Sequence, residues 1–85
     1  MNPYPLNAEE WKEIAAILTI RESWGLESPG DLKDLQAQAY AVKFHFISGS
    51  PGYVGDLFIL QGDVLTGDAS FILCRDQKGK MIVLL

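Results

Sequence analysis

From residue 40 onward, short apolar runs alternate with gaps that contain glycine. The runs cover residues 40–47, 53–61, 70–75 and 80–85, and each is rich in Val, Ile, Leu, Phe or Tyr. Runs of this length bounded by turn residues mark consecutive antiparallel strands. In the first, Tyr40, Val42, Phe44 and Phe46 alternate with Ala41, Lys43, His45 and Ile47. Period two puts the aromatics on one face and the mixed set on the other. In the second, Val54, Asp56, Phe58 and Leu60 oppose Tyr53, Gly55, Leu57 and Ile59. Gly55 inside that strand suggests a bulge or a close approach by a bulky neighbour. In the third, Phe71, Leu73 and Arg75 alternate with Ser70, Ile72 and Cys74.

The gaps read as turns. Ser48, Gly49, Ser50, Pro51 and Gly52 break the chain between the first two strands. Gly62-Asp63 and Gly67-Asp68 bracket Val64-Leu65, which form either one wide loop or a small extra strand. Asp76-Gln77-Lys78-Gly79 suits a hairpin connection. The last run, from Met81 to Leu85, is apolar on both faces. A strand of that kind is usually covered on both sides.

Before residue 40 the period changes. Pro3 and Pro5 keep the first residues, 1–6, extended. Asn7 with Glu10 three residues on forms an Asn version of the capping box, and Leu6 before it is placed for a staple. Glu9, Glu10 and Glu13 favour the positive end of the helix dipole, and Gly25 is a natural stop. A helix is therefore expected at 8–24. Trp11, Ile14, Ala15 and Leu18 make one apolar stripe, and Ile17, Ile20 and Trp24 make a second. Together they span more than the usual ~100° core-facing arc, so one sheet face does not cover them all. Ser28 as a cap, Pro29 at the first position and Asp31 at the third predict a short second helix at 29–36.

The chain is thus expected to be α+β, one domain of 85 residues. A long N-terminal helix and a short second helix, within residues 7–38, pack on one face of a four-stranded antiparallel meander formed by 39–85. Short loops make the order along the chain the order across the sheet.

Composition narrows the function more than it defines it. Cys74 is the only cysteine, and small secreted domains usually carry several disulfides, so a cytosolic location is expected. Residues 1–5 carry no basic cluster before an apolar segment, and no apolar run reaches the ~20 residues of a membrane helix. The net charge is −4 and the seven basic residues are scattered. Neither nucleic acid nor an anionic membrane surface is an expected partner.

Candidate chemistry is sparse. His45 is the only histidine and has no ligand-spaced companion. A Cys74–His45 pair needs an accessible thiol beside a base, whereas free cysteine is more often buried and inert. Asp56, Asp63, Asp68 and Asp76 are common turn residues, and their spacing is not that of an EF-hand loop. The Gly-rich stretch at 50–55 leads into a strand, not the helix that a phosphate loop requires. No catalytic residue, metal or cofactor is assigned.

Two apolar excesses remain: the wide arc of the first helix and the two-sided last strand. They point to an interaction domain, most simply a homodimer, with Trp24, Ile20, Ile82 and Leu84 as the contact surface. Most of the large aromatics should be core, and a core role is the more ordinary one for Trp24 too, but its place at a helix end suits it best to a surface. The alternative is a site for a small apolar or aromatic ligand between helix and sheet, lined by Tyr40, Phe44 and Trp24, with His45 on the same strand.

Overall fold

A computed structural model describes residues 3–27, 30–46 and 53–84, with His45, Phe46, Tyr53 and Val54 described by their backbone alone. The elements are α1 (Ala8–Ser23), α2 (Leu32–Gln38), β1 (Tyr40–Phe46), β2 (Tyr53–Gln61), β3 (Phe71–Arg75) and β4 (Met81–Val83). The strands form one antiparallel sheet in the order β1-β2-β3-β4.

Local chemistry sets the ends of α1. The Asn7 side chain accepts from the Glu10 amide at 2.8 Å, and the Glu10 carboxylate accepts from the Asn7 amide at 3.0 Å. Trp24 caps the other end, and Gly25 follows with φ of +78°. The Leu26 amide donates to the Arg21 carbonyl and the Gly25 amide to that of Glu22, both at 3.0 Å. This is the paired pattern of a Schellman stop.

The second helix differs from expectation. It spans Leu32–Gln38, and its cap is Asp31, whose side chain accepts from the Lys33 amide at 2.9 Å. Gly30 has φ of +155°, which no helix accommodates, so the helix begins beyond it. The expected cap Ser28 and first residue Pro29 lie outside the described residues. Ala39 is already extended, and α2 passes directly into β1.

The bulge also lies elsewhere. Gly55 pairs regularly with Phe44. The register instead shifts between Ile59 and Gln61, where β2 carries one residue more than β3. Ser70 sits just before β3, with its amide donating to the Gln61 carbonyl at 3.0 Å. Val64-Leu65 lie in a turn, so residues 62–70 are a loop and not a fifth strand. The expected loop at 48–52 lies outside the described residues, as do Ile47 and Leu85.

Alternation gives the sheet two apolar faces. On one, Ala41, Phe58, Leu60, Leu73 and Met81 pack with Ile14 and Leu18 of α1 and Leu35 of α2. Arg75 meets Glu13 near one end of α1, and the Arg21 guanidinium lies 5.7 Å from the Phe71 ring centre near the other. α1 therefore runs back along β3, and α2 contacts β2. On the opposite face, Val42, Leu57, Ile59, Ile72 and Cys74 are buried although no helix among the described residues lies there. Val64 and Ala69 of the 62–70 loop pack against them together with Tyr40. The Val64 amide donates to the Tyr40 hydroxyl at 3.0 Å, which ties the loop down.

Gly62 opens that loop at φ of +83°, and a Cβ there would collide with the Asp68 carbonyl and lie 2.8 Å from Ala69 Cα. Gly67 has a similar φ of +80° with open space around it. Gly67→Ala should therefore cost only the left-handed backbone term of roughly 1–2 kcal/mol. Gly62→Ala should cost distinctly more in urea unfolding, because the loop must also move. Equal losses would mean that the 62–70 loop is not packed as described.

Candidate interaction surface

The second apolar stripe of α1 reaches the surface beside β4. Ile17, Ile20, Arg21 and Trp24 of the helix end, with Ile82 and Val83 of the strand, line an open groove of about 380 Å³. Trp24 is 72% exposed, Ile20 49% and Ile82 36%, and Leu84, just past β4, is 50% exposed. The core role weighed for Trp24 is overturned. It is the cap after the last helical turn, and its ring stands at the surface. Three of the four surface residues picked out from the sequence thus meet at one groove. Leu84 lies two residues beyond Ile82 in the same extended segment, its amide donating to the Ile72 carbonyl at 2.8 Å.

Arg21 gives the groove its one polar feature. Its Nε is buried and has no hydrogen-bond partner among the described residues. The spacing of apolar residues carried no signal for Arg21, Ile17 or Val83, because their part depends on how the helix end sits over the sheet edge.

The expected pocket between helix and sheet is not formed by Tyr40, Phe44 and Trp24. Tyr40 packs on the face away from the helices, and alternation places Phe44 there as well. Trp24 belongs to the helical side. Tyr40 instead lines a separate cleft of about 340 Å³ with Pro3, Val42, Asp63, Val64 and Leu65. Only the backbone of His45 is described, paired with Val54. Cys74 lies in another row of the sheet, paired with Leu57 and Ile82. Its thiol is buried, and burial, then the charge of Asp76, pushes its pKa up. That is the reverse of what a nucleophilic thiolate needs.

Asp63, Asp68 and Asp76 are engaged locally. Asp63 and Asp68 organise their loop: the Asp63 amide donates to Asp68 Oδ1 at 2.6 Å, and the Leu65 amide to Asp63 Oδ1 at 2.8 Å. Asp76 accepts from the amides of Lys78 and Lys80, both at 2.9 Å. Among the described residues, no three of His, Cys, Asp and Glu gather as metal ligands.

Asp56 is part of a different cluster. It accepts from the Tyr4 hydroxyl and pairs with Lys43, its direct cross-strand neighbour, at 2.9 Å. The Lys43 ammonium lies 5.9 Å from the Tyr4 ring centre. Tyr4 is also bridged to Ala41, with both backbone hydrogen bonds at 2.9 Å. The cluster thus straps the N-terminal segment along the outer edge of β1. Burial, then the bond to Asp56, raises the Tyr4 hydroxyl well above its usual range, so this phenol stays protonated and is no base.

No known protein family, curated protein or solved structure matches the chain. The geometry therefore carries the functional reading alone. Among the described residues, no helix is long and apolar enough to cross a membrane.

The cluster makes stability depend on acid. Partial burial pushes the Asp56 carboxyl up, but the hydrogen bonds from Tyr4 and Lys43 and the charges of Lys43 and Arg75 outweigh it, and its pKa is lowered. The hydrogen bond from Arg75 lowers Glu13. Groups depressed on folding contribute stability above the unfolded carboxylate range of about pH 4, and lose it as the pH falls through the lower folded value. The urea midpoint should hold from neutral pH to about pH 5 and then fall down to pH 2. Asp56→Asn should start about 1 kcal/mol lower at neutral pH and fall less steeply. Parallel slopes for the two proteins would remove Asp56 from the acid response.

Proposed function

We propose that this chain is a small interaction domain that associates with itself through the C-terminal end of α1 and the β4 edge. The observation that carries the reading is an apolar groove lined by the exposed Ile20 and Trp24 of α1 and bordered by β4 at Ile82 and Val83. Scattered single exposed apolar residues need no explanation, but a contiguous patch does. Three of the residues named from sequence spacing, Ile20, Trp24 and Ile82, line or border this groove. A second copy covers both excesses at once, because the helix stripe and the strand lie side by side.

Sedimentation equilibrium at micromolar concentration and neutral pH should show a dimer. Trp24→Asp and Ile20→Asp should each shift it to monomer. Both side chains are exposed, so folding stability should change by no more than about 0.5 kcal/mol. Leu65→Asp, on the other side of the sheet, should leave the dimer intact. A monomeric wild-type chain, or a dimer indifferent to both helix variants, overturns the reading.

A second reading has its own observation, the cleft at Tyr40. Its volume of about 340 Å³ is at the low end for small-molecule sites, and Val42, Val64, Leu65 and the Tyr40 ring give it apolar walls. On this reading the domain holds a small aromatic ligand there. Indole or phenol at millimolar concentration should then raise the melting temperature by a degree or more, and Leu65→Asp should abolish the rise. No shift with either compound ends this reading and leaves the first untouched.

A further inference from the structure

The two outer edges of the sheet differ. Along β1, the Tyr4 backbone pairs with Ala41 on the side away from β2. Along β4, no strand among the described residues pairs on the side away from β3. Exposed sheet edges are templates for further strands, and natural proteins usually cover or blunt them. Ile20 and Trp24 flank this one on the helical side, and Ile82 and Leu84, which alternate onto the face of Cys74 and Ile72, flank it on the other.

The register says which backbone groups are offered. The Asp76 amide donates to the Lys80 carbonyl, and the Leu84 amide to the Ile72 carbonyl. Lys80, Ile82 and Leu84 therefore turn their backbone groups toward β3. Backbone direction alternates along a strand, so Met81 and Val83 turn theirs to the open edge.

We propose that the occupant of this edge is β4 of a second copy, antiparallel, with the two-fold axis at Ile82. The proposal rests on the self-association above and specifies its geometry. In this register Met81 of each copy pairs with Val83 of the other, and every outward backbone group of β4 finds a partner. Shifting the axis to Met81 or Val83 leaves one of these two residues without a partner in β4. An axis at Lys80 sets two like charges opposite each other, which destabilises a sheet. With the axis at Ile82, Lys80 faces Leu84 of the other copy. The sheet becomes one of eight strands. The two α1 helices run antiparallel on the same side of it, with the Ile20 and Trp24 shoulders turned to the seam. A three-residue strand is short of the ~800 Å² per partner that a stable dimer buries, so the contact must also take in the exposed Ile20 and Trp24 shoulders. That requirement favours this chain over a lone extended peptide.

Ile82 faces Ile82 across the axis in a non-hydrogen-bonded pair, whose Cα atoms lie about 4.5 Å apart. That separation is within the range a disulfide spans. Ile82→Cys should therefore cross-link to a covalent dimer under mild oxidation with glutathione disulfide. Gln77→Cys, exposed in the hairpin and away from the axis, should not. Lys80→Cys mixed with Leu84→Cys should give a cross-linked heterodimer, while neither does so alone. This pair leaves Ile82 in place and so tests the register even if the first variant is poorly folded. Cys74 is the direct cross-strand neighbour of position 82, so each cysteine variant is made with Cys74→Ala, which leaves the introduced thiol no partner within its own chain. A dimer by sedimentation with no cross-link in either experiment above the Gln77→Cys level overturns the register but leaves self-association standing. A monomer by sedimentation overturns both.

Discussion

A single sheet with two apolar faces and only one layer of helices is the constraint that shapes this domain. Alternation makes it unavoidable: Ala41, Phe58 and Leu73 turn to the helices, and their neighbours Val42, Leu57, Ile59 and Ile72 turn away. At ~25 cal/mol per Å² of apolar surface, neither face can be left to water in so small a chain. α1 and α2 cover the first face. The second is covered by a loop, through Val64 and Ala69, with the Tyr40 hydroxyl holding the Val64 amide. Gly62, Asp63 and Asp68 are the local means of folding that loop, which explains why turn chemistry recurs there.

The same constraint separates the two edges. Cover is complete over the middle strands and runs out at the margins. At β1 the N-terminal segment makes up the deficit, fastened by Tyr4 to Asp56 and to the Ala41 backbone. At β4 nothing comparable is present among the described residues, and the end of α1 overhangs with Ile20 and Trp24 exposed. The proposed interface is thus the place where the described residues leave the sheet margin uncovered.

The strands and the long helix were legible because each depends on near neighbours. Asn7 and Glu10 cap α1 across three residues, Gly25 stops it, and period two assigned Tyr40 and Val42 to a shared face. The second helix was misplaced by two to three residues because Ser28 and Asp31 are both competent caps. The conformation of Gly30 decides between them, and nothing in composition reveals it. The bulge was misplaced for a similar reason. Gly55 permits one without requiring it, whereas the shift beside Leu60 follows from matching β2 to β3 across the 62–70 loop.

The candidate surface divides along the same line. Hydrophobic periodicity alone singled out Ile20, Trp24, Ile82 and Leu84, because excess apolar surface is a property of a stripe or a strand taken by itself. It also set the meander order, since short connections leave consecutive strands no other neighbour. Only the tertiary structure decided that Ile20, Trp24 and Ile82 share one groove, that Arg21 lies within it, and that Tyr40 is on the far side of the sheet from Trp24. Those facts depend on how α1 lies along β3 and on which face the 62–70 loop crosses. Both are settled by packing between residues far apart in the chain, where no local pattern carries the information.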